Sequence, residues 1–159
     1  MTNYLGLHVK ADTYGSPPEI LNDLEFLTKS LYEAGELGKL KIIRDKTTVH
    51  RFLPHGVTLD FPLEVSHMTV HTWPEYGSAL VDILSCDEGA NPHEAMRHIL
   101  IGLKPASGWV KIEYRGVFDS ERTQSGIYLP PKKHSEELIY LLNDYIKFVE
   151  TLRSERSKV

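Results

Sequence analysis

The hydrophobic residues between Val57 and Thr72 alternate with polar ones, and the phase of this alternation changes once. Odd-numbered positions are apolar from Val57 to Val65, whereas even-numbered positions are apolar from Met68 onward. A period of two is typical of strands that bury one face, and a slip of one residue turns every side chain to the other face. One regular strand therefore cannot run through Val65 and Ser66, and the pattern predicts a bulge or kink there.

Other stretches have the periodicity of further strands and of helices. Asn91 before Pro92 is a typical helix start, and Ser16 before Pro17 predicts another, with Ser16 as the cap. The predicted strands are 4–11, one or two within 39–52, 57–65, 66–72, 78–85 and 109–118. Two helices are predicted to begin after residues 16 and 91, and a third spans 136–153.

This order of elements predicts an α+β fold. Strands interrupted by two spaced helices indicate a two-layer sandwich, with a mostly antiparallel sheet and helices on one face. The amphipathic segment from Glu136 to Arg153 predicts an extra C-terminal helix. The chain of 159 residues fits a single domain, 1–159.

Composition excludes several classes of function. A net charge of −4 argues against nucleic-acid binding through bulk positive charge, so no nucleic-acid partner is expected. The single cysteine allows no internal disulfide. The N-terminal residues resemble neither a signal peptide nor a membrane span, so we expect a cytoplasmic protein without a membrane partner.

Reactive side chains concentrate between residues 63 and 86. His67 and His71 are four residues apart on one strand, about 13 Å, which is too far for one metal ion unless the strand bends. Asp82 and Cys86 are the nearest further ligands, and no metal site is predicted. Ser66 lacks the GxSxG setting of a nucleophilic serine. Taken singly, each of these residues is typical of an ordinary strand or core position.

Taken together, these residues resemble the small prokaryotic class of S-adenosylmethionine decarboxylases. The resemblance is carried by Ser66-His67, by HTWPE at 71–75 and by Cys86 after the next strand. The segments HVKADTYG at 8–15 and HRFLPHGVT at 50–58 resemble further motifs of the family. The similarity covers residues 4 to 118 or so, about three-quarters of the chain.

The resemblance implies a proenzyme that cuts itself between Val65 and Ser66, giving a β chain of 1–65 and an α chain of 66–159. Ser66 would become a covalent pyruvoyl cofactor, whose ketone forms a Schiff base with the substrate amine and withdraws electrons from it. The implied function is decarboxylation of S-adenosylmethionine to the aminopropyl donor for spermidine synthesis. The small-molecule substrate would bind at the interface of a homodimer or higher homo-oligomer.

The resemblance also implies a role for each site residue. His71 would be the processing base and Thr58 would support processing by a hydrogen bond to the developing oxyanion. Cys86 would donate the proton that replaces the lost carboxylate. The implied substrate-binding residues are Phe52 and Trp73, which would enclose adenine, and Glu75, which would bind ribose.

The chain departs from the family where the cut is expected. Val65 stands where the family usually has glutamate, and its β-branched side chain crowds attack on the scissile carbonyl. His55 changes the family's usual turn, and Pro62 is unfavourable in a central strand. Two alternatives therefore stay open: a pyruvoyl-dependent arginine or ornithine decarboxylase of the same fold, and an unprocessed, non-catalytic paralogue.

Overall fold

The computed structural model describes residues 4–116 and the backbone of residues 124–129. Seven strands form one sheet in the order β2-β3-β4-β5-β1-β6-β7, and every neighbouring pair is antiparallel. The elements are β1 (Gly6–Tyr14), α1 (Pro18–Leu21), α2 (Leu24–Leu37), β2 (Thr48–Arg51), β3 (Val57–Leu63), β4 (Ser66–Trp73), β5 (Ser78–Ser85), α3 (Pro92–Leu103), β6 (Ser107–Arg115) and β7 (Gln124–Leu129). The predicted α+β sandwich is confirmed.

The helices cover one face of the sheet. Leu59 in β3, Val70 in β4, Ile83 in β5 and Val9 in β1 point towards the helices, and each is fully buried. Burying one such side chain stabilises the fold by about 1.5–3 kcal/mol. The opposite face, called the open face below, carries the polar partners of the alternation. The predicted helix at 136–153 lies outside the described residues.

The phase change at residues 64–66 is a hairpin turn. Strands β3 and β4 pair with Leu63 opposite Ser66, so Glu64 and Val65 form a two-residue connection. The predicted bulge or kink is wrong, because the chain reverses direction and continues as the next strand. Across a two-residue turn the paired residues 63 and 66 share a face, which moves the buried positions from odd to even numbers.

Pro62 fits within β3 because of its position beyond the end of β2. The Pro62 carbonyl accepts a hydrogen bond from the Ile43 amide at 2.9 Å, outside the sheet ladder with β4. The N and O of one residue point to the same side of an antiparallel strand, so the missing N–H also faces away from β4. The ladder between β3 and β4 therefore loses no bond at Pro62.

The two helix starts have different outcomes. Asn91 caps α3 as predicted, because its side chain accepts a hydrogen bond from the Glu94 amide. The cap predicted at Ser16 is wrong, because α1 is a single turn that begins after Pro17 without a side-chain cap. The longer helix α2 starts instead at Asp23, whose carboxylate accepts from the Phe26 amide at 3.0 Å. This local bond provides a better start for the helix than Ser16 does.

The region predicted as one or two strands within 39–52 contains one short strand. It is β2, which is exposed along its length and, among the described strands, pairs only with β3 at the sheet edge. Before it, Ile42 makes an isolated bridge to Leu63, and a short 3₁₀ turn spans Arg44–Lys46. None of the helices that the structure describes is long and apolar enough to cross a membrane.

Candidate active site

Ser66 is the first residue of β4 and lies directly after the hairpin turn. It pairs with Leu63 on one side and with Ser85 of β5 on the other. Its Oγ atom is buried and has no hydrogen-bond partner among the described residues. Leaving a buried hydroxyl unsatisfied costs about 1–3 kcal/mol, so such a group calls for an explanation. Val65, before it, is 49% exposed at the tip of the turn.

Lys41 connects the turn to the loop after β5. The Glu64 amide donates to the Lys41 carbonyl at 2.9 Å, and the Lys41 ammonium lies 3.6 Å from the Glu64 carboxylate and 3.1 Å from that of Asp87. The hydrogen bond from Lys41 to Asp87 raises the pKa of the lysine. The pKa of Asp87 is lowered, first by the Gly89 amide and then by Lys41. One lysine therefore holds together the residues next to Val65 and next to Cys86.

Cys86 lies at the same end of the sheet as Ser66, because its neighbour Ser85 pairs with Ser66. The thiol is exposed. Gly6 leaves space beside it, since a Cβ atom at Gly6 would lie 3.1 Å from the Cys86 sulfur. The cysteine borders a cleft of about 190 Å³, together with Leu7 and Ser85. Strand register therefore brings Cys86 to the same end of the sheet as Ser66.

Thr58 and His71 form a separate pair in the middle of the open face. They are opposite each other in the register of β3 and β4, and Thr58 Oγ1 hydrogen-bonds His71 Nδ1 at 3.0 Å. His71 is five residues from Ser66, which is about 16 Å along a strand. Its odd position also directs it to the opposite face from Ser66. The structure thus joins Thr58 to His71 but brings neither to Ser66 of the same chain.

Phe52 and Trp73 lie at the far end of β4 from Ser66. Their ring centroids are 5.9 Å apart at an angle of 55°. Gly56 makes this arrangement possible: it has φ +139°, and a Cβ atom there would overlap the Phe52 ring. Trp73 is seven residues from Ser66, about 23 Å along the strand.

Glu75 follows Trp73 in a 3₁₀ turn and borders an open cleft of about 750 Å³. Arg51, on the same cleft, donates hydrogen bonds to the side chain and carbonyl of Asn22 at 3.0 and 3.1 Å. The two aromatic rings and Glu75 therefore lie at the same end of the sheet, away from Ser66 and Cys86.

A family model described as S-adenosylmethionine decarboxylase matches residues 7–116. The chain belongs to this family. The S-adenosylmethionine decarboxylase proenzyme of a Hydrogenobaculum species is 32% identical over 135 residues, which are 83% of this chain and 97% of that protein. The proenzyme of Thermosipho melanesiensis is 38% identical over 116 residues, 72% of this chain and 87% of that protein.

A solved structure gives the same result for the fold. The crystal structure of the adenosylmethionine decarboxylase from Aquifex aeolicus matches with a TM-score of 0.68 and 32% identity, over 77% of this chain and 100% of that one. The S-adenosylmethionine decarboxylase motifs quoted from the sequence, at 8–15, 50–58 and 66–86, all lie within the matched residues 7–116.

The open face carries a polar cluster of His8, His67 and Asp82, of which the sequence offered Asp82 near His67 but not His8. Asp82 Oδ1 lies 2.6 Å from His8 Nε2 and 3.1 Å from His67 Nε2. The sequence suggests His71 of the same strand as a partner for His67. In the structure, His67 lies instead beside His8 of β1 and Asp82 of β5. The available signal was His8 at the start of the HVKADTYG motif, but the strand order that brings it to His67 cannot be read from periodicity.

Proposed function

We propose that this chain is a proenzyme that cuts itself between Val65 and Ser66 and then decarboxylates S-adenosylmethionine. The observation that carries the proposal is the buried Ser66 hydroxyl directly after a hairpin turn, which has no hydrogen-bond partner among the described residues. A hydroxyl without a hydrogen-bond partner is available for attack on the neighbouring carbonyl. Membership of a family whose relatives are proenzymes supports the same reading.

Self-cleavage requires only groups of the protein and one water molecule. Ser66 Oγ attacks the Val65 carbonyl carbon, the amide nitrogen leaves, and an ester replaces the peptide bond. A base then removes the Ser66 α-proton, and the Val65 carboxylate leaves with the C–O electron pair. The remaining dehydroalanine tautomerises to an imine, and water hydrolyses it with release of ammonia. The product is a pyruvoyl group on the 66–159 chain and a free carboxylate on Val65.

The separation of the site residues supports a site shared by two chains. His71 lies about 16 Å along the strand from Ser66 of its own chain, so it cannot take the Ser66 α-proton there. A second copy of the chain can supply a Thr58–His71 pair, because both residues lie on the open face. Trp73 lies about 23 Å along the strand from Ser66 of its own chain, and Phe52 packs against it. The aromatic rings of one chain would therefore act together with the Ser66 end of the other. We therefore propose a homodimer as the smallest active unit.

In the decarboxylation, the pyruvoyl group supplies a ketone that withdraws electrons from the substrate α-carbon. Cys86, at the same end of the sheet, holds the proton that the α-carbon takes after carbon dioxide leaves. Phe52 and Trp73 bind the adenine by stacking, and an aromatic face also suits the positive sulfonium. Glu75 accepts hydrogen bonds from the ribose hydroxyls. The cytoplasmic location expected from the sequence stays a prediction.

The substrate is tested by release of labelled carbon dioxide from the processed protein. S-adenosylmethionine, arginine and ornithine, each labelled in the carboxyl group, are compared at equal concentration. Faster turnover of S-adenosylmethionine supports the proposal, because its adenine can stack on the rings of Phe52 and Trp73, whereas arginine and ornithine carry no aromatic group. Faster turnover of arginine or ornithine would replace it with the second reading of the sequence.

A further inference from the structure

We propose that His8, His67 and Asp82 form a binding site for a divalent transition metal of the zinc type on the open face of the sheet. The Nε2 atoms of both histidines and one carboxylate oxygen of Asp82 all lie within 4.8 Å of one another. The inference does not rest on the proposed self-cleavage or decarboxylation, since neither reaction uses any of these three side chains.

The three side chains converge because of strand register. His8 in β1 and His67 in β4 both pair with Leu84, from opposite sides of β5. Asp82 lies two residues before Leu84 on the same face. All three ligands therefore stand on adjacent central strands with a fixed backbone, so metal binding requires only small rotations of side chains.

The donor set selects the class of metal. Two imidazole nitrogens and one carboxylate oxygen are typical ligands of zinc, cobalt and nickel, with metal–ligand distances of about 2.0–2.2 Å. Magnesium and calcium prefer oxygen ligands and fit poorly here. With three protein ligands, a fourth position stays open for water, as in zinc sites that bind a further molecule.

Charge and access also favour a cation. The Asp82 carboxylate lies between the two histidine rings, within hydrogen-bond distance of both. The nearby Lys10 is held by Glu113 at 3.0 Å, so its positive charge is compensated. His8 is 7% exposed, whereas the side chains of His67 and Asp82 are 43% and 37% exposed. In a single chain, a metal ion can therefore reach the buried His8 nitrogen from the open face.

The test uses the full-length, tag-free protein after treatment with a chelator. Cobalt is titrated with detection of its visible absorption, and zinc by calorimetry. We expect one metal ion per chain, retained in excess magnesium. Asp82→Asn and His67→Ala should each weaken binding at least about ten-fold, the size seen when even supporting groups of metal sites are removed. His8→Ala should do the same. Because replacing the buried His8 can disturb the fold, the more exposed His67→Ala variant serves as the second test of the same site.

His98→Gln is the matched control, because His98 on α3 contacts Glu33 and lies away from the cluster. It should bind metal as the parent chain does. Absence of cobalt and zinc binding at 100 μM protein and metal would overturn the proposal. So would binding that survives both Asp82→Asn and His67→Ala, or binding that is lost in Cys86→Ala but kept in those two variants.

Discussion

Ser66 and His71 lie on the same strand but on opposite faces of the sheet, five residues apart. The Thr58 hydroxyl holds His71 in the middle of the open face, at 3.0 Å. A chain with this geometry cannot use its own His71 on its own Ser66. In the homodimer proposed above, a second chain would bring these separate groups together.

Complementation between two inactive variants tests this arrangement. Ser66→Ala has no nucleophile, and His71→Ala has no base, so neither should be cut when expressed alone. When the two are expressed together, mixed dimers should form in which the Ser66→Ala chain supplies His71 to its partner. Mass spectrometry should then detect fragments of the His71→Ala chain only. A mixture that stays uncut, or a His71→Ala chain that is cut alone at the parent rate, would contradict the shared site.

Cys86→Ala should separate the two reactions. Self-cleavage should proceed at the parent rate, because Cys86 takes no part in attack on the Val65 carbonyl. Turnover of S-adenosylmethionine should fall by about 100-fold or more, the usual contribution of a positioned proton donor. The fraction of cut chain and the rate of carbon dioxide release are measured on the same sample. Unchanged turnover in the fully cut variant would remove the proton-donor role.

Replacement of the paired aromatics should weaken substrate binding with little effect on the cut. Trp73→Ala loses a stacking surface worth about 1–3 kcal/mol per base, so the KM should rise roughly 5- to 150-fold. Trp73→Phe keeps a ring and should stay closer to the parent. Gly56→Ala should also raise the KM, because a Cβ atom at Gly56 would overlap both the Phe52 ring and the Thr72 carbonyl. Equal KM values in Trp73→Ala and Trp73→Phe would exclude stacking.

Lys41→Met should slow the cut by about two- to five-fold, because exposed ion pairs contribute little. The lysine joins the residues beside Val65 and Cys86, and Lys46→Met in the nearby turn is the control. The pKa of Asp87 is lowered, so the Lys41–Asp87 pair is complete above the ordinary aspartate pKa and is lost as pH falls through the lowered value. The pKa of Lys41 is raised, so alkaline loss occurs only above the ordinary lysine range. The effect of the substitution should therefore stay constant around neutral pH, and a marked change between pH 6 and 8 would contradict it.

The sequence predicts local features better than the contacts between strands. Asn91 was correctly assigned as a helix cap because its partner is only three residues away. The hydrophobic phase located the break before Ser66, but a bulge and a two-residue turn change the phase in the same way. The cluster of His8, His67 and Asp82 depends on the order of three strands, which no local pattern encodes.

For the candidate site, too, the sequence predicts local features better than the contacts between strands. Every residue of the expected site comes from the family motifs. Strand register explains why Ser66 and Cys86 lie near each other. The motifs did not indicate that Thr58 and His71 lie away from Ser66, because sequence order does not show which face of a sheet each residue occupies. Val65 was expected to crowd the scissile carbonyl. It lies half exposed at the tip of the turn, and its effect on the cut stays a prediction.

The intact mass of the denatured protein tests the central claim most directly. We predict two fragments, 1–65 and 66–159, with the second blocked at its N-terminus by a ketone that reacts with hydrazine reagents. Ser66→Ala should remain whole. A single species of 18.1 kDa that persists in the parent chain after prolonged incubation would contradict self-cleavage and leave a non-catalytic paralogue as the remaining reading.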